Sequence, residues 1–143
     1  MNEIIVEQWD SFFPAVKKAQ EALGNPEIVW YRGHPNAAHT LVPSLYRVPD
    51  GAKHERMIFH RFRQLSSKFL AKTDSDWEML FAMQHNGVPT RLLDWTHVLG
   101  VAVFFAIAFR SDETLDSAVF ILDPIGLNKR VGELKSCRQK TRA

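Results

Sequence analysis

The sequence predicts an α+β fold, a single compact domain with about four helices around a small sheet. Its 143 residues fit one domain, and 45% of them are hydrophobic, which is enough to form a core. Stretches with helical periodicity are interspersed with two short β-prone runs. We therefore expect a folded domain over residues 1–128 and a basic, mobile tail over residues 129–143.

Local signals assign each element in order. The predicted elements are helices over residues 11–23, 53–70, 75–86 and 98–109, strands over 28–32 and 117–122, and a proline-rich loop over 34–50 with a short strand at 40–42. Pro14 suits a first helical turn, and Gly24 ends that helix. A capping box that begins at Ser75 opens the third helix, and Gly87 closes it. The apolar run 98–109 is predicted to be a buried core helix.

The net charge of +2 hides an uneven distribution. Residues 128–143 and residues 53–72 each carry six basic residues against one acidic residue. These segments indicate either nucleic-acid contact or solvated surfaces. In the remaining, mostly acidic part, Arg32, Arg47 and Arg91 lie within polar clusters. Their placement indicates either an anionic ligand or pairing with local carboxylates.

Several classes of protein are disfavoured by the sequence. Cys137 is the only cysteine, so no internal disulfide can form, and a reducing compartment is expected. The first residues lack the pattern of a signal peptide, and the longest apolar run is shorter than the roughly 20 residues that span a bilayer. The histidines form no tight pair, and no phosphate-binding loop is present. We therefore predict a cytoplasmic protein without a membrane partner or a metal site, and the sequence assigns no cofactor.

The most informative segment is residues 84–96, QHNGVPTRLLDWT. It places an amide, a histidine, an arginine, an aspartate and a tryptophan beside two leucines. Burying charges near apolar residues is costly unless the charges are paired. The segment is therefore either a structural ion-pair clamp, in which Arg91 binds Asp94, or a polar functional site. Residues 30–34, WYRGH, present the same alternatives, since Arg32 can pair with Asp94 or bind a ligand.

Four blocks of the chain resemble the FRG domain family. They are YRGH at residues 31–34, PSLYR at 43–47, QHNGVPTRLLDWT at 84–96 and VFFA at 103–106. The family is named for a Phe-Arg-Gly triplet, and Tyr31 departs from it while keeping the aromatic ring. The resemblance implies a bacterial or phage protein, often associated with defence-type genes, in a family whose reaction is mostly unassigned.

Candidate site residues come from these blocks. An arginine after a strand can direct its planar guanidinium at a phosphate, and Gly33 would let a ligand approach the backbone. His85 lies in a last helical turn, where it can act as a general acid or base oriented by Asp94, or donate to the last carbonyls. The candidate catalytic residues are His85 and Asp94, and the candidate ligand-binding residues are Tyr31, Arg32, Gly33, His34, Ser44, Arg47, Gln84, Thr90, Arg91 and Trp95.

Ser44 and Arg47 carry two alternatives of their own. Both follow Pro43 on one predicted loop, three residues apart. A serine and an arginine at this spacing can hold a phosphate. They can equally cap the turn that follows.

Two functional hypotheses follow. The first is an enzyme or ligand-binding domain for an anionic, nucleotide-like ligand such as NAD, because the aromatic-Arg-Gly triplet is similar to the NAD-gripping arginine of some ADP-ribosyltransferases. No glutamate matches their catalytic carboxylate, since Glu113 lies in a loop and Glu133 in the tail. In this hypothesis Arg32 and Arg91 converge on one phosphate, and Trp95 or Tyr31 stacks on a base. The second is a non-enzymatic binding domain of a defence system. Its motif residues form a polar network, and its basic surfaces meet nucleic acid or a protein partner.

Overall fold

The computed structural model describes residues 2–67, 75–112 and 114–140, and it confirms the α+β fold. In chain order the elements are a 3-10 turn (Trp9–Ser11), α1 (Phe12–Ala22), β1 (Trp30–His34), α2 (Ser44–Arg47), α3 (Gly51–Ser66), α4 (Asp76–His85), α5 (Leu99–Ala108), β2 (Ala118–Leu122) and α6 (Pro124–Lys140). These elements fall into two compact units. The first comprises Met1–Ala38 and Trp95–Ala143, and the second comprises His39–Asp94.

The first unit is built on a two-stranded antiparallel sheet. β1 pairs with β2 in a register that sets Tyr31 opposite Ile121. On its other edge, β1 forms a single bridge from Tyr31 to Thr96, with main-chain hydrogen bonds of 2.8 and 2.9 Å. Val16 of α1, Tyr31 of β1 and Ala102 of α5 form the buried core, so α5 covers one face of the sheet. Partly buried residues that extend this core are Phe12, Val29, Leu99, Val119 and Ile121.

The second unit contains α2, α3 and α4 together with the polar loop that follows them. Its buried side chains include Leu45, Met79, Met83 and Thr90. The predicted helix cap is present at its C-terminal helix, because the Ser75 hydroxyl accepts the main-chain N–H of residue 78 at 3.3 Å. A hydroxyl acceptor at this position satisfies one of the N–H groups that the first turn leaves without a helical partner.

Gly87 closes α4 as the sequence predicts. Its φ angle is 73°, in the left-handed region that glycine adopts without steric cost. The Val88 N–H donates to the Met83 carbonyl at 2.9 Å, and the Gly87 N–H donates to the Gln84 carbonyl at 3.0 Å. This pair of bonds is the Schellman motif, which satisfies the last carbonyls of a helix and redirects the chain. The turn thereby starts the polar loop at a defined point.

Two predictions about buried and extended segments need correction. α5 is a core helix on one side only, because Phe104 and Phe105 are 57% and 49% exposed on the other. The sheet has one pair of strands and covers a single face of this helix, so apolar composition alone overestimated its burial. The short strand at residues 40–42 is absent. No described residue pairs with this segment as a strand, and strand geometry needs such a partner.

The number and ends of the helices also differ from the predictions. The described residues form six α-helices rather than about four, because a short helix follows Pro43 and α6 continues to Lys140. α3 ends at Ser66, and the predicted extension over residues 68–70 lies outside the described residues. Residues 129–140 are helical, although their composition predicted a tail. The domain boundary at residue 128 and the mobility of residues 129–143 stay predictions.

Candidate functional site

β1 presents its residues to two different environments. Side chains alternate along a strand, so Tyr31 and Gly33 face α5, whereas Arg32 and His34 face the opposite side of the sheet. On that side the Arg32 Nε donates to the His34 Nε2 at 3.0 Å. His34 is 5% exposed, and its ring packs edge-on against Phe120 with centroids 4.9 Å apart. The bond makes Nε2 an acceptor, so His34 is in the tautomer protonated at Nδ1.

Gly33 is required by the packing of α5. A Cβ atom at this position would lie 1.9 Å from the Ala102 carbonyl oxygen and 2.7 Å from the Ala106 nitrogen. Both atoms belong to the helix backbone, which cannot rotate away as a side chain can. On the α5 side, therefore, helix backbone occupies the space in which the sequence predicted a ligand. The ligand-binding role of Gly33 stays a prediction.

A cavity opens beside Tyr31 in the first unit. Its volume is about 450 Å³, and its polar lining includes Gln20, Glu27, Tyr31 and His97. The Gln20 Nε2 donates to the Tyr31 hydroxyl at 2.5 Å, so the phenol keeps its own proton for another acceptor. Neither Arg32 nor His85 lines this cavity.

In the second unit, Thr90 is the centre of a hydrogen-bond network. It is 1% exposed, and its hydroxyl donates to the Gln84 Oε1 and accepts the Leu92 N–H at 3.1 Å. The Gln84 Nε2 donates in turn to the Asp94 Oδ2 at 2.8 Å. Hydroxyl, amide and carboxylate therefore form one chain of hydrogen bonds, which runs from the buried Thr90 through the half-buried Gln84 to the exposed Asp94. The network fixes the course of the polar loop.

Ser44 belongs to the same network. Its hydroxyl accepts the Thr90 N–H at 3.2 Å and contacts the Thr90 carbonyl oxygen at 3.4 Å. The Leu45 N–H donates to the same carbonyl at 3.1 Å. No side-chain hydrogen bond caps α2, so the cap that the sequence offered for Ser44 is replaced by a bond to the loop. The start of α2 and the loop are thereby joined in the second unit.

Arg91 binds Glu55 rather than Asp94, so the Arg91–Asp94 clamp, one of the two alternatives that the sequence left open, is wrong. Its Nε donates to the Glu55 Oε1 at 2.6 Å, and a second guanidinium nitrogen donates to the Oε2. This bidentate hydrogen bond from Arg91 holds the pKa of Glu55 below its ordinary value of 4.5. The side chains of the pair are 54% and 20% exposed, so the pair lies at the surface.

The remaining predicted residues show fewer contacts. His85 is the last residue of α4 and is exposed, and its side chain forms no hydrogen bond or ion pair with the described residues. Arg47 is exposed in the last turn of α2, and Trp95 is half-buried. His85 and Asp94 are therefore not joined as an acid–base pair here, since Gln84 occupies an oxygen of Asp94. Their catalytic role stays a prediction.

The predicted site residues are divided between the two units. Tyr31, Arg32, Gly33, His34 and Trp95 belong to the first, and Ser44, Arg47, Gln84, His85, Thr90, Arg91 and Asp94 belong to the second. Within the second unit the structure brings together Ser44, Gln84, Thr90 and Asp94. A single site that joins both sets stays a prediction.

Sequence reasoning missed two residues that the site uses. Gln20 binds Tyr31 from α1, and Glu55 binds Arg91 from α3. Gln20 is one of several polar residues on an amphipathic helix, so no local signal distinguishes it. Glu55 does carry a signal in the sequence, because it is the only acidic residue in the basic segment 53–72. A lone carboxylate among cations is a natural partner for an arginine elsewhere in the chain.

The described residues contain no group of three or more histidine, cysteine, aspartate or glutamate side chains positioned for a metal ion. Over the same residues, no helix combines the length and the apolar character that crossing a membrane requires.

Comparison with known proteins identifies one family. The family model described as the FRG domain matches residues 27–114, which is more than half of the chain. The match covers β1, the polar loop and α5, the elements that carry the residues above. No curated protein and no solved structure matches the chain.

Proposed function

The chain belongs to the FRG domain family, and on that premise we propose that it is a binding domain whose α3 helix contacts nucleic acid. The observation that carries this proposal is the basic face of α3, which consists of Arg56, His60 and Arg63. All three are exposed, and none forms an ion pair with a described carboxylate. Two arginines without carboxylate partners on one exposed face, with a histidine between them, are suited to a polyanion.

The spacing of the basic face matches a phosphate backbone. These residues are four and three positions apart, so they share one side of the helix and span about 10 Å along its axis. One strand of a duplex presents about three phosphates over the same length. The only acidic residue of α3, Glu55, is held by Arg91 and does not neutralise the face. By holding Glu55, Arg91 keeps that carboxylate from pairing with the basic face, and so it supports nucleic-acid binding without contacting the nucleic acid.

A role in binding rather than catalysis is supported by the polar network of the second unit. Gln84 accepts a hydrogen bond from Thr90 and donates one to Asp94, and Arg91 has its own carboxylate in Glu55. A general acid or base needs hydrogen-bond reach to the proton it moves, and these groups are used in holding the loop. The second hypothesis drawn from the sequence, a non-enzymatic binding domain, included such a polar network, but with Asp94 rather than Glu55 as the partner of Arg91.

Salt-dependent binding tests the proposal. Fluorescence anisotropy would compare Arg56→Gln/Arg63→Gln with Lys17→Gln/Lys18→Gln, which removes the same charge from exposed positions on α1. The α3 variant should bind single- and double-stranded oligonucleotides more weakly, by roughly eightfold per lost contact at about 0.1 M salt, and its log–log salt slope should fall by about two. Equal losses in both variants, or wild-type binding without salt dependence, would contradict the proposal.

A second candidate function is favoured by the cavity beside Tyr31. Its volume of about 450 Å³ is in the range of small-molecule sites, and Tyr31 offers a hydroxyl proton to it. This supports the nucleotide-like ligand, with NAD as the first candidate, and leaves the phosphate-binding roles of Arg32 and Arg91 as predictions. Arg32 faces the other side of β1, so it does not serve a ligand in this cavity.

Thermal shift separates this candidate from nucleic-acid binding. NAD or a mononucleotide at 100 times its dissociation constant should add about 2.7 kcal/mol to the free energy of unfolding. Tyr31→Phe should reduce that protection, while Tyr46→Phe, which alters the chain's other tyrosine, should not. Protection that is equal in both variants would exclude this cavity as the site. The bacterial or phage origin, the defence context and the cytoplasmic location stay predictions.

A further inference from the structure

The cavity beside Tyr31 has walls that main-chain hydrogen bonds hold in place. Where α1 ends, the Asn25 N–H donates to the Gln20 carbonyl at 2.9 Å. On the other side, Tyr31 and Thr96 exchange main-chain hydrogen bonds of 2.8 and 2.9 Å, which keeps His97 beside β1. Residues from both of these segments line the cavity. The cavity is therefore pre-formed, as small-molecule sites usually are.

The lining of this cavity carries a negative charge. Among the described residues that line it, Glu27 is the only one that is fully ionised at neutral pH, and none is a lysine or an arginine. Glu27 forms no ion pair with another described residue. Its carboxylate is therefore available to a ligand, whereas the phosphates of a nucleotide would find no cationic side chain in this lining.

The uncharged polar groups of the lining can accept hydrogen bonds. Gln20 donates from its Nε2 to the Tyr31 hydroxyl, which leaves its Oε1 as the acceptor of the same amide. The side chains of Asn25 and His97 form no hydrogen bond with the described residues, so the Asn25 carbonyl and a neutral His97 ring can accept as well. An ammonium group carries three donors and no acceptor, and it therefore matches a lining of this kind.

Part of the lining is apolar. Pro26, Ile28 and Val29 contribute to it between the polar residues. Tyr31 is 7% exposed, whereas Glu27 is exposed, so the polar lining extends from a buried phenol to a carboxylate in contact with solvent. A ligand can thus place an apolar body against the aliphatic side chains while its charged group reaches the carboxylate.

We propose that this cavity binds a small organic cation, in which an ammonium, amidinium or guanidinium group is attached to a compact apolar body. The inference rests on the second candidate function, a small-molecule site beside Tyr31, and it changes the ligand class from anionic to cationic. Glu27 pairs with the cationic group, and Gln20 and Asn25 accept its remaining hydrogens. Hydrogen bonds between ionised groups are roughly twice as strong as neutral ones, so Glu27 provides the selectivity.

Three ligands of one shape and different charge test the proposal. Benzamidine is a cation, benzamide is its neutral counterpart and benzoate is an anion. Titrations followed by the amide shifts in nitrogen-15 NMR spectra should give benzamidine a dissociation constant about tenfold lower than that of benzamide. Benzoate should bind most weakly. Equal affinities for benzamidine and benzamide, or no measurable binding of benzamidine, would overturn the proposal.

Two glutamate variants connect this preference to the cavity. Glu27→Gln removes the charge and keeps the size of the side chain, so benzamidine should then bind about as weakly as benzamide. Glu21→Gln removes the same charge from an exposed position on α1 that does not line the cavity, and it should leave the preference intact. A preference that survives Glu27→Gln, or one that both variants lose equally, would contradict the role of Glu27.

The same measurements separate this inference from the nucleotide-like ligand. Benzamidine binding that depends on Glu27, without protection by NAD, would support the cation and exclude the nucleotide from this cavity. Protection by NAD that depends on Tyr31, without binding of benzamidine, would support the nucleotide and overturn the inference. Raising the salt concentration from about 0.02 M to about 0.3 M should weaken benzamidine binding and leave benzamide binding unchanged, because salt screens exposed charges. Benzamidine binding that is insensitive to salt would contradict the pairing with Glu27.

Discussion

Gly33→Ala should destabilise the protein through a single added methyl group. The new Cβ would lie 1.9 Å from the Ala102 carbonyl oxygen, whereas ordinary contacts begin at 3.4 Å. β1 and α5 would have to separate locally by about 1.5 Å, the difference between these two distances. Two further features make relief difficult. The obstructing atoms are backbone, and Ala102 and Ala106 are buried.

The magnitude follows from two opposing effects. Overpacking a core costs about 1–3 kcal/mol, and a clash with helix backbone belongs at the upper end. Alanine also lowers the conformational entropy of the unfolded chain, which returns at most about 1 kcal/mol. The clash therefore exceeds the gain, and the free energy of unfolding should fall by about 2 kcal/mol. For a chain of this size the midpoint of thermal unfolding should fall by roughly 8 °C.

Thermal melts followed by circular dichroism measure this effect, and Gly100 provides the matched control. Gly100 lies in α5 and would meet nothing within 4 Å of an added Cβ. Gly100→Ala should raise stability by roughly 0.5–1 kcal/mol, because alanine is the better helix former. If Gly33→Ala melts within about 2 °C of the wild type, α5 does not pack on β1 in this way. The glycine would then be better explained by the approach of a ligand.

Three further changes test other parts of the structure by thermal or urea unfolding. Thr90→Val should cost about 1–3 kcal/mol, because it leaves the Gln84 oxygen and a loop N–H without partners; a neutral effect would contradict the network. Gly87→Ala should cost about 1–2 kcal/mol, since alanine is strained at a φ of 73°, and an unchanged urea midpoint would argue against that turn. Arg91→Ala should cost at most about 1 kcal/mol, because its pair with Glu55 lies at the surface. The pKa of Glu55 is lowered in the folded state, so the cost of Arg91→Ala should be present above pH 4.5. It should disappear as the pH falls through the lowered pKa, because Glu55 is then protonated. A cost that persists at pH 2 would exclude the ion pair as its cause.

The sequence by itself determined the elements whose causes are local. The cap at Ser75 and the left-handed turn at Gly87 use hydrogen bonds between residues no more than five positions apart. A local window contains both partners of such bonds, so the ends of α4 could be predicted. The strand β2 was also predicted, because a short run of β-branched and aromatic residues follows a polar loop; its five residues are half-buried, whereas the pattern indicated a buried strand. The family resemblance likewise depended on contiguous blocks, and the match over residues 27–114 confirms it.

The tertiary structure alone decided which residues meet. Arg91 pairs with a glutamate 36 positions earlier, although an aspartate lies three positions away in the sequence. Gly33 is required by the close approach of α5, a helix that begins 66 residues later. The residues next to Gly33 in the sequence therefore do not indicate why a glycine is needed there. Apolar composition predicts that α5 is buried, but only the number of strands beneath it decides that one side stays exposed. These contacts join residues that are distant along the chain, and the fold brings such residues together through the packing of whole elements, which no local pattern encodes.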